Sequence, residues 1–214
     1  MAKVLVIGAS RGIGLETVKT LLAANASVRA FARTATKIAI DDPQLEKFDG
    51  DALDQPTVER ALEGIGVVIQ SLGVTFGAEA VLKGTTLFSK ATRVLVDAMR
   101  AKNVSRLIAV TGMGAGDSRG HGGLLYGAVL FPLILKRVYD DKDIQEQIVR
   151  ASGLDWTIVR PGTLTSGPAT GTYQVLTEPK SWRAGFISRR DVADFLATEV
   201  TDQAYVGKTP LVIA

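Results

Sequence analysis

Three glycines near the start of the chain have the spacing of a phosphate-binding loop. Gly8, Gly12 and Gly14 lie in GASRGIG, directly after the apolar run KVLVIG and at the start of an amphipathic helical pattern. In such a unit the first glycine permits a tight turn, the second lets backbone N–H groups approach a pyrophosphate, and the third lets the helix pack on the sheet. The segment predicts a dinucleotide site, with Ser10 and Ile13 among its contacts. The alternative is a glycine-rich turn without a ligand.

The end of the second predicted strand indicates which dinucleotide to expect. NAD-binding folds commonly place Asp or Glu there, to accept hydrogen bonds from the adenosine ribose. This chain instead has Arg33 and Thr34 after Phe31 and Ala32. A guanidinium suits a 2′-phosphate, through charge-assisted hydrogen bonds and stacking on adenine. Arg11 in the glycine loop would supply a second cation, so the pair favours NADP(H) over NAD unless each is an ordinary solvated side chain.

Composition excludes most chemistry that a protein carries in its own side chains. The 214 residues include no Cys and one His, so thiol nucleophiles, metal sites built on Cys or His and the usual hydrolytic triads are not expected. The net charge is +3 and no basic run concentrates it, which gives no support for a nucleic-acid or membrane-surface partner. The absence of cysteine, with a start that lacks a signal-peptide pattern, predicts the cytoplasm.

Short β-branched runs alternate with longer helical patterns, which is typical of βαβ units and a parallel sheet covered on both faces. The predicted strands are 3–8, 27–33, 45–49, 67–72, 106–111 and 156–159, and the predicted helices are 12–24, 56–62, 86–102 and 136–151. Further on we expect a possible strand at 172–176, a helix at about 190–199 behind Ser188 as N-cap, and a last strand at 211–213. We predict one α/β domain, 1–214, with a Rossmann-type doubly wound sheet and a small C-terminal extension on the substrate side.

The segment between the fifth strand and the next helix has six glycines in twelve residues, GMGAGDSRGHGG. It predicts a loop over the carboxyl ends of the strands, where open α/β sheets bind ligands. His121 in this loop is a candidate proton donor near neutral pH; the alternative is a solvated side chain. The apolar run 124–135 is too short to span a bilayer. It predicts either a core or dimer-facing segment or an apolar wall that moves with the loop over a bound ligand.

Several segments carry a resemblance that runs nearly end to end. They are GASRGIG, FDGDALD, SLG at 71–73, SGLDWTIVRPG at 152–162 and ISRRDVADFL at 187–196. Together they resemble the short-chain dehydrogenases/reductases, and within them the atypical group that includes NmrA-type NADP-binding proteins and biliverdin IXβ reductase, also a flavin reductase. The contacts that this resemblance implies are Asp51 and Ala52 to the adenine, Leu72 and Gly73 on the adenosine side, Thr111 at the end of the fifth strand, Lys142 at the nicotinamide ribose, and Pro161 and Gly162 beside the nicotinamide.

The chain departs from the usual catalytic set of that superfamily, a Ser near the end of the fifth strand and a Tyr-x-x-x-Lys on the next helix. Lys142 aligns with the family lysine, so Val138 stands where the Tyr belongs and Tyr139 is one position off. One position turns a helical side chain by about 100°, so Tyr139 is expected to face elsewhere. Gly112 stands where the Ser belongs. The sequence therefore predicts that both the Ser and the Tyr of the usual catalytic set are absent.

The missing proton donor predicts a hydride acceptor that does not need a proton from the protein. A ketone needs a proton at oxygen as hydride arrives, whereas a flavin, a quinone or a linear tetrapyrrole spreads the charge over a conjugated system and lets water supply the proton. We predict NADP(H)-dependent hydride transfer to such a flat acceptor in a solvent-open cleft, with Lys142 and His121 as catalytic candidates. The alternatives are a non-catalytic NADP-binding redox sensor of NmrA type and an isomerase or epimerase that retains its nucleotide. Stable membrane insertion is not predicted, and the oligomeric state is left open.

Overall fold

In residues 2–74, 84–120 and 136–214, which the computed structural model describes, eight strands form one mostly parallel sheet. The strands of the fold are β1 (Val4–Ile7), β2 (Val28–Ala32), β3 (Leu45–Asp49), β4 (Val67–Gln70), β5 (Arg106–Val110), β6 (Asp155–Pro161), β7 (Thr163–Thr165), β8 (Gln174–Leu176), β9 (Phe186–Ser188) and β10 (Leu211–Ile213). The sheet order is β3-β2-β1-β4-β5-β6-β10-β8, and β7 pairs with β9 in a separate parallel ladder. The order of the first six strands is that of the Rossmann fold.

Helices cover both faces of this sheet. They are α1 (Gly12–Ala23), α2 (Gln55–Ala61), α3 (Leu87–Ala101), α4 (Lys136–Arg150) and α5 (Arg189–Asp202). α1 packs on α5, and α3 packs on both α2 and α4. Alternate residues of β1 serve the two layers, because Val4 and Val6 join the core beneath α1 and α5 while Leu5 and Ile7 join the core beneath the other three helices. The prediction of a doubly wound α/β fold is confirmed.

The C-terminal extension differs most from its sequence pattern. Strands β7 and β9 were not predicted, because three residues are too few to show an alternating pattern. β10 continues the sheet parallel to β6 and pairs antiparallel with β8. Ser188 is the N-cap of α5 as predicted, since its Oγ accepts a hydrogen bond from the Asp191 N–H at 3.0 Å.

The strand order reverses between β1 and β4, which lie side by side and parallel. Open α/β sheets bind ligands at this switch point, outside the carboxyl ends of the strands. The loops after β1, β2, β3, β4, β5 and β6 all leave the sheet at that edge. The fold therefore gathers the glycine loop, Arg33, Asp51, Thr111 and Pro161 at one edge of the molecule.

Two predictions concern residues outside the described ranges. These are the proton-donor role of His121 and the role of the apolar run 124–135. Among the helices that are described, none is both long enough and apolar enough to cross a membrane.

Candidate functional site

The glycine loop between β1 and α1 has the close backbone packing that its sequence predicts. Gly8 has φ +89°, and a Cβ on it would lie 2.4 Å from the backbone oxygen of Ser71. A Cβ on Gly14 would lie 2.3 Å from the Gly8 oxygen, so glycine is needed for α1 to approach the loop this closely. Open space surrounds Gly12, and the N-cap residue Arg11 makes no side-chain capping hydrogen bond to α1. The first N–H groups of α1 thus lie beside open space, as an anion site at a helix N-terminus requires.

A cavity of about 550 Å³ extends from this loop along the carboxyl ends of the strands. Its wall is formed by the loops that follow β1, β2, β3, β4, β5 and β6, together with one side of α4. The predicted contacts on the wall are Gly8, Ser10, Arg11, Gly12, Ile13, Arg33, Asp51, Ala52, Leu72, Gly73, Thr111, Lys142 and Pro161. The glycine cradle at one end and this continuous wall fit an elongated dinucleotide.

Three of the predicted contacts are absent from the cavity wall. Gly14 packs against the Gly8 backbone behind the loop. Thr34 is the N-cap of a short 3₁₀ turn, Ala35–Lys37, that follows the end of β2. Gly162 is a packing glycine, because a Cβ on it would lie 2.5 Å from the Gly185 oxygen. Motif alignment does not separate such packing positions from ligand contacts.

The outer end of the cavity is lined by Arg33 and Asp51, two exposed side chains. The Asp51 carboxylate accepts a hydrogen bond from the Leu53 N–H at 3.0 Å, which closes a local turn. The second strand ends at Ala32 and is followed by Arg33 and Thr34, with no acid to accept hydrogen bonds from a ribose. This end of the cavity therefore offers a guanidinium suited to a phosphate ester.

The inner end of the cavity contains Lys142 of α4. Its Nζ donates a hydrogen bond to the backbone oxygen of Thr111 at 2.9 Å and lies 4.2 Å from the centroid of the Phe88 ring. Burial lowers the pKa of Lys142 to about 8, against the opposing effect of the Glu146 and Asp141 carboxylates. The charge of this ammonium group is therefore sensitive to pH just above neutrality.

Tyr139 lines the cavity, which corrects the expectation that this side chain faces elsewhere. The tyrosine lines the same cavity as Lys142, and its Oη lies 2.9 Å from where a Gly112 Cβ would be. The reason is helical geometry, because positions three and four residues before Lys142 lie on the same side of the helix as that lysine. Val138 and Tyr139 both line the cavity. The i,i+3 spacing in the sequence already contained this signal, and comparison with the Tyr-x-x-x-Lys pattern alone missed it.

A buried charge network lies beneath the inner end of the cavity. Glu146 accepts hydrogen bonds from the Thr111 hydroxyl at 2.9 Å and from Nε and Nη2 of Arg160 at 2.9 and 2.6 Å. Arg160 Nη2 also donates to Asp117 at 2.5 Å, and the guanidinium carbon lies 5.1 Å from the Trp182 ring centroid. Burial alone would lower the pKa of Arg160, but the hydrogen bonds and charges of the two carboxylates raise it above its ordinary value. Nothing in the local sequence pattern indicated this network.

Charged contacts also fix the described part of the glycine-rich loop, residues 112–120, to α4. The Gly116 N–H donates to the Asp143 carboxylate at 2.6 Å, and Arg119 pairs with Asp143 and Asp140. Gly116 has φ +54°, and a Cβ there would lie 2.5 Å from a Glu146 oxygen. Glycine at this position therefore lets the loop lie directly on the buried carboxylate.

Comparisons with known proteins agree with this geometry. The model of a family described as NAD(P)H-binding matches residues 8–203. An uncharacterised chloroplastic protein of Arabidopsis thaliana is 31% identical over 200 residues, which cover 90% of this chain and 69% of that protein. The structure of ChuY, an anaerobillin reductase from Escherichia coli O157:H7, is similar with a TM-score of 0.80 and 29% identity, over 99% of this chain and 96% of that one.

A second solved structure, of lower sequence identity, shows similarity of the fold alone. A short-chain dehydrogenase/reductase from Veillonella parvula, solved in complex with NADP, has a TM-score of 0.83 at 19% identity, over 99% of this chain and 94% of that one. The family model and the likeness to ChuY confirm the NAD(P)-binding resemblance that the sequence motifs predicted. The chain belongs to the family described as NAD(P)H-binding and has the strand order of the Rossmann fold.

Proposed function

We propose that this protein is an NADP(H)-dependent reductase that delivers hydride to a flat conjugated acceptor such as a bilin, a flavin or a quinone. The observation that carries the proposal is the continuous cavity, which joins a phosphate loop at one end to Tyr139 and Lys142 at the other. The anaerobillin reductase of E. coli, which is similar over nearly the whole chain, supports a bilin as one such acceptor.

The preference for NADP(H) over NAD(H) rests on the cations at the outer end of the cavity. Arg11 and Arg33 both line it, and two guanidinium groups there suit the extra phosphate that distinguishes NADP. We expect Asp51 and Ala52 to contact the adenine, and Thr111, Lys142 and Pro161 to contact the nicotinamide half.

The chemistry divides between the cofactor and the chain. A bound nicotinamide supplies the hydride, and the chain supplies binding, orientation and a proton. The Tyr139 hydroxyl is a proton source beside Gly112, and Lys142 is a buried cation on the same helix. Gly112 provides no hydroxyl to orient a carbonyl, so one of the two usual polar contacts to a ketone oxygen is missing.

The wall near the inner end favours a flat apolar acceptor. Leu87, Phe88, Val138 and Leu164 contribute apolar side chains to it, and such surfaces stack well on an extended π system. A conjugated acceptor also spreads the developing charge, so it depends less on a positioned carbonyl contact. The acceptor class therefore follows from the absent serine and the apolar wall, with Tyr139 as proton donor.

The test is a panel of acceptors assayed for NADPH oxidation with the purified protein. Biliverdin, FMN and a benzoquinone should each be reduced faster than a simple ketone, and NADPH should be used in preference to NADH. Turnover of the ketone with none of the conjugated acceptors would contradict the proposal. No turnover with any acceptor, together with different affinities for NADP⁺ and NADPH, would instead identify a redox sensor.

A further inference from the structure

Arg189 lies on the cavity wall without a function in the scheme above. It is the first residue of α5 and is half-buried. Its Nη1 donates hydrogen bonds to the Thr165 backbone oxygen at 2.9 Å and to the Ser166 hydroxyl at 3.1 Å. Within the described part of the chain, no carboxylate lies within ion-pair distance of this guanidinium. The positive charge of Arg189 is thus fixed at the cavity wall, and none of the described carboxylates pairs with it.

The next residue, Arg190, shows what an ordinary surface arginine looks like at this point of the fold. Its side chain is 55% exposed, pairs with Glu16 at 3.4 Å and does not line the cavity. The two arginines share a helix terminus and differ in their surroundings. Of these two arginines, only Arg189 places its charge at the cavity.

Arg189 comes from a different part of the chain than the two arginines assigned to the dinucleotide. The outer end of the cavity contains Arg11 and Arg33, where the NADP phosphates are expected. Arg189 is contributed by the C-terminal extension, as is Leu164. A guanidinium with one nitrogen already fixed presents its remaining N–H groups in a planar fork, which matches a carboxylate or a phosphate.

We propose that Arg189 binds an anionic group of the acceptor, so that the preferred substrates are conjugated molecules bearing a carboxylate or a phosphate. This inference rests on the proposed reductase function and narrows it. Bilins carry propionate carboxylates and FMN carries a phosphate, whereas riboflavin and simple quinones carry neither. Arg189 is thus a specificity-determining residue, and the ring system alone does not define the substrate class.

The test compares molecules that share a ring system and differ in charge. Equilibrium binding of FMN and riboflavin to the protein–NADP⁺ complex is measured by quenching of flavin fluorescence, and biliverdin is compared with its dimethyl ester by protein fluorescence. The wild-type protein should bind the anionic member of each pair about tenfold more tightly, as expected for a charge-assisted hydrogen bond. This preference should shrink as NaCl is added, since the arginine is partly exposed.

Matched variants assign the preference to a residue. Arg189→Gln should remove the difference between the two members of each pair, and Arg189→Lys should retain part of it, because the charge remains but the fork is lost. Arg190→Gln should leave the wild-type preference unchanged. The preference is a ratio measured within one variant, so a general loss of folded protein does not imitate the expected result.

Two results would overturn the proposal. One is a wild-type protein that binds neither anionic molecule more tightly than its neutral counterpart. The other is an Arg189→Gln variant that keeps the wild-type ratio but binds NADPH more weakly, which would assign the arginine to the cofactor pyrophosphate. Because the assay measures binding, its outcome is independent of turnover, and failure of the reductase function itself would appear only in the acceptor panel.

Discussion

Two buried arginine–glutamate pairs lie at opposite edges of the sheet, and they differ in what surrounds them. At the amino edge, Arg106 at the start of β5 pairs with Glu199 of α5 at 2.7 Å. At the carboxyl edge, Arg160 near the end of β6 pairs with Glu146 of α4 at 2.6 Å. All four side chains are almost completely buried.

The amino-edge pair is enclosed by the scaffold. Glu199 also accepts hydrogen bonds from the Thr157 hydroxyl at 2.9 Å and the Tyr205 N–H at 3.1 Å. Burial lowers the pKa of Arg106, and the carboxylates of Glu199 and Asp155 counter this only in part. None of these residues lines the cavity, so the pair serves the fold alone.

The carboxyl-edge pair is continuous with the cavity wall. Glu146 holds the hydroxyl of Thr111, and Lys142 holds the backbone oxygen of the same threonine. Glu146 and Lys142 of α4 therefore fix Thr111 on the cavity wall, one through its hydroxyl and the other through its backbone oxygen. We infer that a buried ion pair acquires a functional role here through its neighbours, because the two pairs are nearly alike in distance and burial.

Replacing Glu146 should give the largest effect. Glu146→Ala leaves the Arg160 guanidinium without its main partner, and breaking a buried pair costs about 3 to 5 kcal/mol of unfolding free energy. Thr111 also loses its acceptor, so we expect NADPH affinity to fall by roughly tenfold, the effect of one lost charge-assisted contact. Urea unfolding and NADPH fluorescence titration measure the two effects. Unchanged NADPH affinity in the folded variant would remove the functional distinction between the edges.

Replacing Glu199 should give a similar loss of stability without the functional effect. Glu199→Ala leaves Arg106 unpaired in the interior, with a cost of about 3 to 5 kcal/mol. NADPH affinity, measured well below the unfolding transition, should match that of the wild type. A weakened affinity at this edge would show that the two networks are coupled through the sheet.

Lys142, at the carboxyl edge, should make the unfolding free energy depend on pH. Burial lowers its pKa from 10.5 to about 8, so between these values the unfolded chain binds a proton that the folded chain does not. Unfolding free energy should therefore rise with pH across this window, by roughly 1 to 3 kcal/mol. Above the window both states are neutral, and below it both are charged.

Cofactor affinity should change in the opposite direction over the same pH range. Loss of the ammonium charge above pH 8 removes a charged hydrogen-bond donor from the cavity, so NADPH binding should weaken as stability increases. Lys142→Met is the control, because it should abolish the contribution of this group to both pH dependences. A wild-type stability that parallels that of Lys142→Met from pH 7 to pH 10 would contradict the assigned pKa.

The smallest expected effect comes from two matched threonines. Thr111 donates its hydroxyl to Glu146, and Thr157 donates its hydroxyl to Glu199, each at 2.9 Å. Replacement of either by Val removes one buried hydrogen bond and should cost about 1 kcal/mol of unfolding free energy. Only Thr111→Val should also weaken NADPH binding, by a few-fold. Equal effects of the two substitutions on binding would contradict the comparison.

Sequence patterns predicted the parts of the molecule that depend on local geometry. The glycine loop could be recognised because Gly8 and Gly14 each occupy a place where a Cβ would meet backbone, and such places leave a spacing in the chain. The helices and long strands have periodic apolar faces, so their positions followed from the sequence to within a few residues.

Long-range contacts could not be predicted in the same way. The pairs of Arg160 with Glu146 and of Arg106 with Glu199 join residues 14 and 93 positions apart, and no local pattern records which acid meets which base. The environment of Arg189 depends on β7, a strand too short to leave a pattern. Tyr139 differs, because its i,i+3 spacing from Lys142 is visible in the sequence and places it on the same side of α4 as that lysine.

The central claim, hydride delivery to a conjugated acceptor, is tested most directly by isotope transfer. The protein is mixed with biliverdin and NADPH carrying deuterium at one face of the nicotinamide C4, and the mass of the reduced bilin is measured. The account predicts that one of the two deuterated faces transfers its label to the bilin and the other does not, because the cofactor is held in one orientation. Reduced bilin without label from either face, or no reduction of any conjugated acceptor in the panel, would contradict it.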